Sequence, residues 1–171
     1  MPNFSLKMNV VNTVNSKKIQ KYANQVGAVI LVGFPDGRMH IDTIHTTDKD
    51  GKRKTTTAVG KQTSDLAREL SFGTAEIPAR PFLQDGVETQ RNKILEEIKT
   101  QARVQKETGS ANWDKVGTMA VGAINEFVRS DYYKSTIPNS PEWIKEKGSD
   151  TPLIDGGDLI SDLHYIVKEG K

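Results

Sequence analysis

"GTAEIPARPFLQDG", residues 73–86, stands where the chain changes character. Upstream of it, apolar residues cluster in short β-branched runs; downstream they recur at helical spacing. Pro78 and Pro81 bracket Ala79 and Arg80. Each proline fixes its own φ at about −65° and pushes the residue before it to extended backbone. Such a segment loses little entropy on ordering, so it reads as a stiff strap that aims Phe82 and Leu83 in one direction. The alternative reading, the rim of an active site, would need a catalytic partner for Arg80, and the sequence offers none in view.

Before the strap, "SDLARELSFG" (64–73) predicts a short helix capped by Ser64, with Leu66 and Leu70 on one face and Gly73 as its C-terminal stop. After it come two longer helices. The first spans about residues 86–106: Asp85 and Glu88 have capping-box spacing, and Val87, Arg91, Ile94, Leu95, Ile98 and Ala102 recur at helical intervals. The second spans about residues 113–130. It places Trp113, Val116, Ala120, Ile124 and Phe127 on one stripe, with Gly117, Gly122 and Ala123 nearby to permit close approach.

The segment 137–153 reads as a loop carrying Pro138, Pro141, Pro152 and a buriable Trp143. Asp155-Gly156-Gly157-Asp158 is then a tight turn with a cap, followed by one helical turn. Leu163, Tyr165 and Val167 alternate as on a strand.

Upstream, residues 16–26 predict a polar helix with Ser16 as cap. "GAVILVGF" (27–34) and "RMHIDTIH" (38–45) are expected to pair as a hairpin through Pro35-Asp36-Gly37. A polar, Thr-rich arm at 46–61 follows, with a cationic centre at Lys49, Lys52, Arg53 and Lys54; Asp50-Gly51 invites a second, exposed hairpin there. The fold class expected is α+β: a small mixed or antiparallel sheet packed by two longer helices, with long extended loops. Residues 1–171 read as a single domain, divided into an N-terminal extension (1–26), a hairpin region with its arm (27–61) and a main body (62–168).

With 171 residues, 35% hydrophobic and 27% charged, the chain can bury a real core but leaves part of itself as loop. A net charge of +2 is too small to argue for nucleic acid. The absence of cysteine excludes a disulfide framework and thiolate metal sites and suits a reducing cytosol. The longest apolar run, Ala28–Val32, is far short of the ~20 residues of a membrane span, and residues 1–18 carry no signal-peptide core. A soluble intracellular protein, with no membrane partner, is expected.

Chemistry-bearing patterns are sparse. His40, His45 and His164 have no second ligand at metal spacing, and no phosphate loop, dinucleotide fingerprint or nucleophile elbow occurs. Asp150, Asp155, Asp158 and Asp162 form the densest acidic group, yet they occupy turn and cap positions that favour Asp for backbone bonding alone. "DKDGKRK" (48–54) starts like a calcium loop, but its Gly comes two places early and the twelfth-place Glu is missing. Arg80 is expected to anchor the strap to a helix C-terminus or an acidic partner. Trp113 and Trp143 are expected as core or interface anchors. No cofactor, metal or catalytic residue is assigned.

The order of features carries a resemblance. Leu66, Leu70, Phe72, Gly73 and Thr74, then Pro78, Ala79, Arg80, Pro81, Phe82 and Leu83, resemble a segment of the neck and tail-completion proteins of tailed bacteriophages. Asn139-Ser140-Pro141, Trp143, Lys147-Gly148 and Pro152-Leu153-Ile154-Asp155 with Gly157 and Leu159 are similar to the ending of minor tail and virion-morphogenesis proteins. The resemblance covers residues 62–168. It implies a non-enzymatic virion protein of the head–tail junction, made in the host bacterial cytoplasm, that assembles as a homo-oligomeric ring and contacts other neck and tail proteins. Phe72, Gly73, Pro78, Arg80, Pro81, Phe82, Leu83, Trp143, Pro152, Leu153, Asp155, Gly157 and Leu159 are then the interface and structural residues. A tail-terminator ring is the alternative within that class. The arm (46–61) and the segment 137–153 are expected to order on contact with adjacent rings, where a transient touch on packaged DNA is also conceivable.

Two readings from other classes compete. A nucleic-acid-binding accessory protein would use Lys49, Lys52, Arg53 and Lys54 as its basic contact, but no aromatic residue interleaves them for base stacking. A metal-dependent hydrolase would use Asp155, Asp158 and Asp162.

Overall fold

β1 (Ala28–Gly33) does not pair with the strand that follows it. Its antiparallel partner is β4 (His164–Glu169), in a register that sets Ile30 against Val167, Leu31 against Ile166 and Val32 against Tyr165. The hairpin expected between 27–34 and 38–45 is thereby corrected. β1 is apolar on both faces, so it favours apolar cross-strand neighbours in succession; β4 supplies Tyr165, Ile166 and Val167, whereas 38–45 interleaves Met39, Ile41 and Ile44 with His40, Asp42 and Thr43. Among the described residues there are two sheets instead of one, each of two antiparallel strands, within the α+β class.

The computed structural model describes Lys17, Gln20, Lys21, Asn24 and residues 27–35, 37–154 and 157–170. Ser16 as a cap, Asp36 of the Pro-Asp-Gly turn, and Asp155 and Gly156 lie outside the described residues. Lys17, Gln20, Lys21 and Asn24 are helical, as the 16–26 reading requires. The chain divides into two compact units: Met1–Gly33, Leu83–Ile124 and His164–Lys171 form one, Phe34–Phe82 and Asn125–Leu163 the other.

The first unit contains the β1–β4 sheet and most of the long helices. α2 (Phe82–Thr89) and α3 (Arg91–Thr108) replace the single helix expected over 86–106. Helix begins at Phe82, directly after Pro81, so Asp85 and Glu88 sit inside it rather than at a capping box. Gln90, at φ −115° and ψ 17°, interrupts the helical path before Arg91. α4 (Trp113–Arg129) follows the expected stripe, with Trp113, Val116, Ala120, Ile124 and Phe127 all buried.

Two glycines set how closely these elements pack. A Cβ on Gly86 would lie 2.7 Å from the Ile124 Cα, so only glycine lets α2 come that near to α4. A Cβ on Gly117 would overlap the Tyr165 ring of β4, and the neighbouring Thr118 hydroxyl donates to the Tyr165 hydroxyl at 3.3 Å. Gly122, read as a third close-approach residue, faces open space.

Between α3 and α4, Gln101 is buried. Its Oε1 accepts the Asn112 N–H at 2.8 Å and its Nε2 donates to Glu97 at 2.7 Å. Lys115 closes the group with an ion pair to Glu97 at 2.9 Å.

The second unit is organised by the hairpin β2 (Met39–Thr47) and β3 (Arg53–Gln62), which confirms the second hairpin expected at Asp50-Gly51. Asp48 makes the turn: its Oδ1 accepts the N–H of Asp50 at 3.0 Å and of Lys52 at 2.8 Å, and Gly51 takes φ 77°. At the base of the hairpin, Thr63 is fully buried. Its N–H donates to the Arg38 carbonyl at 2.9 Å and its hydroxyl to Asp162 at 2.8 Å. α1 (Thr63–Phe72) therefore starts one residue before Ser64, and neither Ser64 nor its actual N-cap residue Gln62 supplies a side-chain cap bond.

The segment expected as a Pro-rich loop contains helix. α5 (Asp131–Thr136) is capped by Ser130, whose hydroxyl accepts the Tyr133 N–H, and Tyr133 is buried beside Phe127. α6 (Pro141–Lys147) has Ser140 as N-cap, Pro141 in its first turn and Gly148 in the left-handed region as its stop. Those three residues are the signals for a helix of this length, overshadowed by the proline count. α7 (Asp158–Ser161) is the single turn expected before β4.

Candidate interface site

The strap is held from both ends by backbone bonds. Gly73, at φ 76°, ends α1 and donates its N–H to the Glu69 carbonyl at 2.8 Å. The Thr74 hydroxyl then accepts from the N–H groups of Glu76 (3.2 Å) and Ile77 (3.0 Å), while Thr74 N–H donates to the Ile77 carbonyl at 2.8 Å. This tight turn doubles the chain back, so that Arg80 N–H reaches the Leu70 carbonyl at 2.8 Å. A Cβ on Gly73 would stand 2.7 Å from the Ala79 nitrogen. Glycine at 73 is thus required twice, by its dihedral and by the strap lying on it.

Beyond the prolines, Phe82 is fully buried and meets Phe34 edge-on, ring centroids 6.3 Å apart. Pro78 and Pro81 are exposed, and Leu83 is half-buried. The proline geometry predicts a fixed direction for Phe82 and Leu83, and for Phe82 that direction is inward.

Arg80 connects the strap to the 137–153 segment. Its Nη1 donates to the Asn139 Oδ1 at 3.4 Å, and the Asn139 amide donates in turn to the Asp150 carbonyl at 3.2 Å. Asn139 is buried, whereas the Arg80 Nε is enclosed and has no acceptor. The backbone of Arg80 thus ties the strap to the last turn of α1, as expected of an anchor at a helix C-terminus, while its guanidinium meets a neutral amide in place of an acidic partner. Asn139 escaped selection as a site residue, although its place between Pro138 and Ser140-Pro141 marks a polar side chain in stiff backbone.

The far end of the segment is fixed by Lys147, buried, whose ammonium donates to the Thr151 carbonyl at 2.5 Å, and by an ion pair from Lys134 to Asp150 at 3.5 Å. Pro152 and Leu159 are buried; Leu153 takes φ 60° and Gly157 φ 89°. The segment expected to order only on assembly is bonded at Asn139, Lys147 and Asp150 within the single chain.

What this region offers outward is aromatic. Phe72 is 53% exposed and Trp143 39%. Trp143 is therefore not a core residue, unlike Trp113. Lys49, Lys52 and Lys54 are exposed on the hairpin, and Arg53 is in β3.

The acidic group divides among structural tasks. Asp162 accepts from Thr63 and pairs with Arg38 at 3.5 Å; Asp150 pairs with Lys134; Asp158 opens α7. Among the described residues, no three His, Asp or Glu side chains are grouped to hold a metal ion, and no helix is long and apolar enough to cross a membrane.

Two carboxyls elsewhere are displaced from their ordinary affinity for protons. Partial burial pushes Asp85 up. Hydrogen bonds from Gln101 and Lys115 hold Glu97 down. Comparison of the chain with protein families, with curated proteins and with solved structures returns no match.

Proposed function

We propose that the chain is a structural subunit of the head–tail junction of a tailed bacteriophage, a neck or tail-completion protein that acts by ring assembly and protein–protein contact in the virion. The observation that carries this reading is the Arg80–Asn139–Asp150 linkage. It ties together the two stretches on which the resemblance rests, making one stiff edge from segments far apart in sequence. Phe72 and Trp143, exposed on that same unit, supply aromatic area of the kind that anchors protein interfaces. Copies of such a subunit would pack head to tail, an arrangement that closes into a ring when the rotation fits. A tail-terminator ring would use the same elements.

The test is the mass of the purified protein in solution, followed by the position of its density in intact particles. A ring, or a monomer that becomes a collar between head and tail, supports the neck assignment. A ring that stays with tails assembled in the absence of heads favours the terminator. Absence from particles overturns both. Asn139→Ala and Trp143→Ala refine the result: both should impair incorporation, the first with a loss of about 1–3 kcal/mol in stability for its stranded partners, the second with little loss.

A further inference from the structure

The β2–β3 hairpin changes composition along its length. Its base carries the exposed apolar residues Met39, Ile41 and Val59, with Ile41 and Val59 directly opposite each other. Beyond Ile44, itself exposed and opposite Thr56, no further exposed apolar residue lies toward the tip among the described residues. There Thr46, Thr47, Thr55, Thr56 and Thr57 are exposed, together with Lys49, Lys52 and Lys54.

The charge of the molecule is concentrated at the same end. The chain has 24 cationic and 22 acidic residues. Four of those cations and two of those acids fall in residues 48–54, which leaves twenty of each sign in all the rest. The whole formal excess of +2 thus resides at this tip. One of its two carboxylates, Asp48, has an oxygen committed to the turn N–H groups of Asp50 and Lys52. Lys49, Lys52 and Lys54 enter no ion pair among the described residues, whereas Lys61, Arg68 and Arg38 of the same unit are each matched with an acid.

We propose that the distal half of this ribbon, residues 46–57, binds duplex DNA through its phosphates. Lysine and threonine side chains are phosphate-contacting groups, and a two-stranded ribbon fits the width of the major groove. At nine residues, β2 is about 30 Å long, enough to carry the tip clear of its base. Residues 46–57 include no Phe, Tyr, Trp or His on which an unpaired base could stack, so the duplex is the ligand rather than a single strand. Binding is independent of sequence. This inference goes beyond ring assembly and does not require it.

The experiment is fluorescence anisotropy of a labelled mixed-sequence duplex titrated with the full chain across a range of salt. The wild-type protein is expected to bind with Kd on the order of 10⁻⁴–10⁻⁶ M near physiological salt, with log K falling against log salt at a slope of about −3 to −4. The variant K49A/K52A/K54A should lose at least tenfold in affinity and about 2.7 in slope. These lysines are exposed and unpaired, so its thermal melt should match that of the wild type. Equal binding by the variant overturns the proposal, as does no duplex binding at low salt, tighter binding to the single strand, or binding to anionic vesicles in place of DNA. A ring at the neck that ignores DNA removes this inference alone. A DNA-binding chain absent from particles removes the proposed function alone.

Discussion

Gln101 closes the junction between α3 and α4 by accepting the Asn112 N–H at 2.8 Å while donating to Glu97 at 2.7 Å. Both halves of one amide are used, in a place where the side chain is almost fully enclosed. Gln101→Ala strands the Asn112 N–H and is expected to lower stability by about 1–3 kcal/mol. Urea unfolding should show the midpoint falling with an unchanged m-value. A midpoint equal to that of the wild type would mean that water satisfies Asn112 equally well.

The same group makes stability depend on acid. Because Glu97 is held below its ordinary pKa, it contributes stability above the unfolded value that is lost as pH falls through the folded one. Asp85 has the opposite sign: burial raises it, so its ionisation at neutral pH opposes folding. Glu97→Gln should melt below the wild type at pH 7 and converge with it in acid. Asp85→Asn should melt above it at pH 7 and lose that advantage in acid. Thermal melts at a series of pH values check both.

Gly117→Ala drives a methyl group into the Tyr165 ring. A loss of about 1–3 kcal/mol is expected, typical of an overfilled contact. The loss should largely disappear when Tyr165 is already Ala, which a double-mutant cycle measures. Additive losses would place the cost in α4 itself.

Limited proteolysis with trypsin should cut first at Lys49, Lys52, Arg53 or Lys54, around an exposed turn. Lys147 should resist, since it is buried and bonded to Thr151. Early cleavage at Lys147 would restore the expectation that 137–153 orders only on assembly.

What could be read from the sequence followed the range of the interactions involved. α4 was legible because its apolar stripe is a local pattern, and Gly73 because a helix stop is written in adjacent residues. The partner of β1 was not, since Ile30 and Val167 meet across most of the chain and nothing near Ile30 names Val167. Asp85 and Glu88 imitated a capping box because the spacing is local, while the true start was imposed by Pro81. Of the candidate interface, the strap's rigidity was visible in its prolines. Its attachment was hidden: Arg80 and Asn139 lie 59 residues apart, and Asn139 carries no charge to advertise the match.

The pairing of β1 with β4 has a consequence for how the protein is made. Residues 34–163 all lie between these two strands, so on a ribosome β1 is exposed early and waits for a partner that emerges after everything else described. Closing so long a loop costs only logarithmically more than closing a short one, which makes the delay kinetic rather than energetic. During that interval β1 is an apolar strand without its mate, the form most prone to pairing with another chain. The vulnerable moment in the life of this protein is therefore its synthesis, and its cure is the arrival of residues 164–169.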